Sequence, residues 1–134
     1  MPIFLDLARN IGNPQKGLSN IGEFALQITE SGFRSESSPQ GVPWPSLNPD
    51  YALRKSGPSI LRESDRLHDT IRFEVQGDIL VLGPDEDVPY HRIHQAGGRA
   101  GRGAIIPARE YIGATQQDAT AFALIFLDHI TDGL

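Results

Sequence analysis

The chain has 134 residues, with 12 basic and 17 acidic side chains, a formal net charge of -5 and no cysteine. That length fits a single domain (1–134) able to bury roughly two-thirds of its unfolded surface. The acidic balance argues against a dedicated nucleic-acid binder, whose usual sign is a basic footprint, and the lack of cysteine removes disulfides and thiolate chemistry.

From the N-terminus, Ile3, Leu5 and Leu7 alternate with Phe4, Asp6 and Ala8, which suits a short strand or a helical turn. Residues 1–8 have no basic start, and Asp6 interrupts their short apolar run, so no signal peptide is read there. The first well-marked helix begins with Asn13 as N-cap and Pro14 at the first helical position. Leu18, Ile21, Ala25 and Ile28 recur at helical spacing, and Gly32 suits the C′ position with Phe33 folded back on the last turn. Gly22 within it costs about 1 kcal/mol relative to Ala, which close approach of another backbone would offset.

Residues 35–58 are rich in Pro, Ser and Gly, and five prolines exclude a long helix there, leaving room for a short one from Asn48-Pro49 to Arg54. Connections this long are usually functional or mobile. Trp44, the single tryptophan, either pins this loop to the core or anchors a partner. Residues 60–68 read as a short helix capped by Ser59. Ile71, Phe73 and Val75 then alternate with polar residues, Gly77-Asp78 makes a two-residue turn, and residues 79–82 return as a strand. The returning strand is continuously apolar, which predicts cover on both faces, from this subunit or a neighbour.

The last helix starts at a capping-box-like Thr115 and Asp118. Ala119, Phe122, Phe126 and Ile130 form one stripe, which Leu124, Ile125 and Leu127 widen to most of the circumference. An end helix that is apolar nearly all round predicts contact with another subunit. Its longest apolar stretch, residues 119–127, is too short to span a bilayer, so no membrane partner is expected. The expected fold class is α+β: a small antiparallel sheet packed against an N-terminal and a C-terminal helix, with long Pro- and Gly-rich loops.

Candidate chemistry is sparse. His91 and His94 share a face on a helical turn, but no third ligand stands near them in sequence, so no metal is assigned. No Gly-x-Ser-x-Gly elbow is present, and Asp128 and His129 point apart on a helix, so no catalytic residue is named. The Gly-Arg segment 97–103 ends in no Gly-Lys-Ser/Thr and has no strand-then-helix context, so no nucleotide cofactor is expected. Tyr90, Ile93 and His94 are expected to face inward, with imidazole hydrogen bonds tying down the following loop. That loop, 96–104, is expected to be mobile until a partner orders it.

Four pieces stand in order along the chain: Phe33 at a helix end; Pro39, Gly41, Trp44 and Leu47; Tyr90, His94 and Gln95; and residues 106–113. Together they resemble the phage virion-morphogenesis (tail-completion) family of Mu-like phages and prophages. Glu110 departs from the pattern, since many relatives carry a proline there. The resemblance implies a structural assembly protein, not an enzyme, that completes the tail or joins it to the head. It implies a homo-oligomeric ring, hexamers being frequent among such proteins, with tail-tube and head-completion proteins as partners. Assembly would take place in the host cytoplasm and end in the virion. The candidate partner-facing residues are Trp44, Arg92, Arg99, Arg102 and Ile125. The alternative is a small nucleic-acid-binding accessory protein using Arg92, Arg99 and Arg102; any DNA contact would be non-specific.

Overall fold

The structure is a computed structural model that describes residues 2–46, 60–61, 66–85, 91–99 and 105–132. In chain order its elements are α1 (Pro2–Gly12), α2 (Gln15–Ser35), α3 (Arg66–Asp69), β1 (Arg72–Gln76), β2 (Ile79–Gly83), α4 (His91–Ala96), β3 (Gly98–Arg99), β4 (Ile105–Ile106) and α5 (Gln116–Ile130). The fold is α+β, with two separate two-stranded antiparallel sheets, β1-β2 and β3-β4. The second sheet is an addition to the one expected from the sequence. The chain divides into two compact units, each built from segments distant in sequence.

The first unit comprises Met1–Gln27, Phe73–Leu82 and Ala114–Leu134. Its opening segment is the helix α1, not a strand. Six alternating residues cannot separate the two periods, and contact with α5 settles the choice. Two side chains tie the ends of these helices reciprocally. Asn10 Nδ2 donates to the carbonyls of Ile130 and Asp132, both at 2.9 Å. The buried His129 ring returns the favour, its Nε2 donating to the carbonyls of Asn10 at 3.0 Å and Asn13 at 2.8 Å. Helix ends leave carbonyls without partners, and each side chain here satisfies those of the other helix.

Helix α2 begins at Gln15, with the Pro14 carbonyl accepting the first bond from the Leu18 amide at 2.9 Å. A Cβ on Gly22 would lie 2.5 Å from the Phe73 ring, so this glycine admits a side chain of β1 onto the helix rather than another backbone. Phe24 meets Phe122 of α5 edge to face, with centroids 5.9 Å apart. The capping box of α5 is complete: Asp118 N–H donates to Thr115 Oγ1 at 3.0 Å, and Thr115 N–H donates to Asp118 Oδ2 at 2.9 Å.

The β1-β2 pair turns at Gly77-Asp78, with Gly77 at a φ of 65°. Phe73 and Val75 on β1 and Leu80 on β2 are half-buried, whereas Ile79 and Val81 are 59% and 48% exposed. Among the described residues nothing supplies the cover expected on both faces of β2: the face of Ile79 and Val81 is bare.

The second unit comprises Ile28–Arg72 and Gly83–Gly113. Phe33, Trp44, Leu67 and Tyr111 form its core, with Ile60, Leu61, Ile71 and Ile112 packed around them. Phe33 sits at the centre, edge to face with Trp44 at 5.4 Å and with the His68 ring at 5.1 Å. His68 also places its Nε2 2.7 Å from a Glu30 carboxylate oxygen and its Nδ1 2.8 Å from Asp69. Two sequence expectations shift here. Helix α2 runs past Gly32 to Ser35, and Glu36 takes the left-handed position, at a φ of 54°. The Ser37 amide then reaches back to the Gly32 carbonyl at 3.0 Å, the six-to-one bond of a Schellman end. The helix expected over 60–68 does not start at Ile60, because Leu61 has a φ of 63°; it is confined to α3 among the described residues. The short helix expected from Asn48 to Arg54 lies outside them.

Candidate functional site

Most of the residues that drew attention in the sequence meet in the second unit, where the loop after α2 faces the chain that follows α4. The loop folds on itself: Ser37 bridges Pro43, and Ser38 N–H donates to the Val42 carbonyl at 2.8 Å. The Trp44 amide then donates to the Glu36 carbonyl at 2.8 Å, which turns the indole into the core. Trp44 is only 5% exposed, and its Nε1 donates to the Glu110 carbonyl at 2.8 Å. The tryptophan thus spends its surface and its one polar atom inside the unit, pinning the loop, and offers almost nothing outward.

Arg109 holds the next stretch of the same loop. It is buried, with Nε donating to the Pro45 carbonyl at 2.9 Å and an Nη2 hydrogen bond to the Ser46 carbonyl at 3.1 Å. Hydrogen bonds from a charged group are stronger than neutral ones, about 1.5–3 kcal/mol each. From α4, the Gln95 amide reads the backbone opposite as a strand would. Its Nε2 donates to the Ile112 carbonyl at 2.6 Å, and its Oε1 accepts from the Tyr111 and Ile112 amides, both at 3.1 Å. The Tyr111 hydroxyl donates to the His91 carbonyl at 2.7 Å, and burial pushes its pKa up to about 12.

His94 enters this clasp through its backbone, its carbonyl accepting from the Arg109 amide at 2.7 Å. Its ring does not tie down the loop as expected: Nδ1 is buried and has no hydrogen-bond partner among the described residues. Burial, and then the Arg109 charge, lower the His94 pKa below 6.5. The ring is therefore neutral at physiological pH. Among the described residues no three His, Asp or Glu side chains are grouped to hold a metal ion.

What the clasp presents is the β3-β4 hairpin. Gly97 launches it from α4 at a φ of 74°, and a Cβ there would lie 2.8 Å from the Ala108 amide nitrogen, so only glycine fits. Gly98 pairs with Ile106, and Arg99 with Ile105. Gly98 and Arg99, at the start of the Gly-Arg segment, are thus paired with residues beyond its end; residues 100–104, with Arg102, lie outside the described residues, as does Tyr90. Arg99 is exposed and Ile105 is 76% exposed, while Arg92 is exposed on α4.

Ile125 belongs to the first unit, half-buried on α5, and its neighbours Leu124 and Leu127 are 58% and 52% exposed. The structure therefore puts Arg99 on the hairpin and Arg92 on the helix that leads into it, Trp44 in the core and Ile125 in the other unit. Sequence reasoning missed the structural roles of Gln95 and Arg109, and it missed Ile105, which a two-residue strand is too short to signal by periodicity. No helix is long and apolar enough to cross a membrane among the described residues.

Comparison with curated proteins and with solved structures gives no match. The sequence does match the phage virion morphogenesis family over residues 2–131, almost its whole length. The clasp residues Phe33, Trp44, Gln95, Arg109 and Tyr111 fall inside that span, and the chain belongs to this family, whose place is in building the phage particle.

Proposed function

We propose that this protein completes the phage tail or joins tail to head, acting as a ring of identical subunits between tail-tube and head-completion proteins. The observation that carries the ring is the bare apolar surface of the first unit: Ile79 and Val81 on β2, Leu124 and Leu127 on α5. A monomer gains nothing by exposing large aliphatic side chains on two elements, whereas a subunit in a ring buries them against its neighbour, at about 25 cal/mol per Å². The Pro-rich loop and the arginine hairpin supply further surfaces for unlike partners. Assembly in the host cytoplasm, before incorporation into the virion, follows from such a role. The work of such a subunit is geometric, and no catalytic step is assigned to it. A nucleic-acid role through Arg92, Arg99 and Arg102 is less favoured, because no aromatic side chain stands between Tyr90 and Tyr111 to stack on bases.

Light scattering of the purified protein across a concentration series tests the reading. Association into a discrete multimer, alone or on addition of tail tubes, is expected. A monomer at every concentration, indifferent to tail tubes, would contradict it.

A further inference from the structure

Charge is divided unevenly between the two units. The first holds seven carboxylates against Arg9 and Lys16 and carries the whole net charge of -5. The second holds ten acidic and ten basic residues, and within it residues 91–113 carry four arginines against a single carboxylate, Glu110. With Arg109 bound to the loop, the exposed positive charge of this segment lies on and beside the β3-β4 hairpin, at Arg92 and Arg99.

The bare face of the β1-β2 hairpin is the counterpart. Ile79 and Val81 are exposed there, and Asp78 stands at the turn; by the alternation of β1 Glu74 shares the face, as does Arg72, whose charge is held by Asp85 at 2.6 Å. On the β3-β4 hairpin, Arg99 lies directly opposite Ile105 in the register, so one cation and one large exposed aliphatic side chain stand together. With Arg72 neutralised by Asp85, each surface has an apolar centre beside charge of one sign, and the signs are opposite. That is the composition of a protein interface, apolar inside and charged at the rim.

We propose that the β3-β4 hairpin of one copy docks on the exposed face of the β1-β2 hairpin of the next, with Arg99 meeting Glu74 and Ile105 packing on Ile79 and Val81. The occupant is a second copy because the complementary charge and the matching apolar side chains are both in this chain. Two different patches make a head-to-tail contact, and such a contact builds a ring when its rotation closes on the first copy. The proposal rests on the ring reading above and names the surfaces that build it.

Sedimentation velocity on the full chain tests it with Arg99→Glu and Glu74→Lys. Both positions are exposed, so circular dichroism should show the wild-type fold. Each single reversal should raise the concentration needed for association roughly tenfold, by setting like charges together. An equimolar mixture of the two variants should recover association, because every contact between unlike copies then pairs opposite charges. Recovery in the double variant but not in the mixture would mean an ion pair within one chain and would overturn the docking. A wild type that associates while neither reversal matters would also overturn it and leave the ring standing; a wild type that never associates, with or without tail tubes, would remove both. If Arg99→Glu instead abolished binding of a single-stranded oligonucleotide and left association unchanged, the hairpin would face nucleic acid and the docking would fall.

Discussion

At residue scale the notable feature is how fully polar side chains are committed to internal bonds. Arg109, Gln95 and the Trp44 indole all carry groups that recognise partners in other proteins, and here each is turned onto backbone of its own unit. Such groups stabilise a fold only when satisfied, and a buried arginine left without its carbonyls would cost several kcal/mol. His94 is the exception, and its lowered pKa has a consequence for stability. The unfolded chain binds the proton more tightly than the folded one, so unfolding is favoured by acid. The contribution of neutral His94 is complete above its ordinary value of 6.5 and is lost as pH falls through the lowered folded value. Urea denaturation between about pH 8 and about pH 5 should show wild type losing more stability than His94→Gln. Parallel profiles for the two proteins would mean that the ring takes up its proton as freely in the folded state as in the unfolded one.

Among elements, the packing of β1 on α2 hangs on one small residue. Alanine at Gly22 would gain about 1 kcal/mol of helix propensity. It would also set a methyl 2.5 Å from Cδ2 and 2.6 Å from Cγ of Phe73. Cγ lies on the axis about which the ring turns, so flipping the ring leaves the clash in place and only a new χ1 rotamer or a shift of β1 removes it. Gly22→Ala should therefore destabilise the protein by about 1–2 kcal/mol net, seen as a lower urea midpoint with unchanged slope. A midpoint at or above wild type would mean that β1 moves freely on the helix.

The same elements show what was legible in the sequence. The Thr115–Asp118 cap and the Gly77-Asp78 turn depend on residues within a few positions of each other, and both stand as read. The end of α2 lies four residues beyond the expected one because glycine is the usual left-handed residue, and here Glu36 takes that conformation in place of Gly32. The His129–Asn10 ties join residues 119 apart in the chain, and no local pattern announces them. The site shares this split. Gly97 and Arg99 were singled out as loop chemistry, but whether Trp44 faced in or out depended on Glu110, 66 positions away.

On the scale of the whole molecule, the protein belongs to a family that builds phage particles, and its described residues spend their polar groups on holding shape while leaving aliphatic side chains bare. Those two facts support the proposed role, in which the exposed surfaces are finished by neighbours in the particle. A part that completes a tail or joins it to a head acts at one place in the particle, so location tests the proposed role more directly than affinity does. Gold-labelled antibody against the protein, applied to purified virions and viewed by electron microscopy, gives that location. The account predicts label confined to one end of the tail, and particles with unjoined or unfinished tails when the gene is removed. Label spread along the tube, or virions that form normally and carry none, would contradict it.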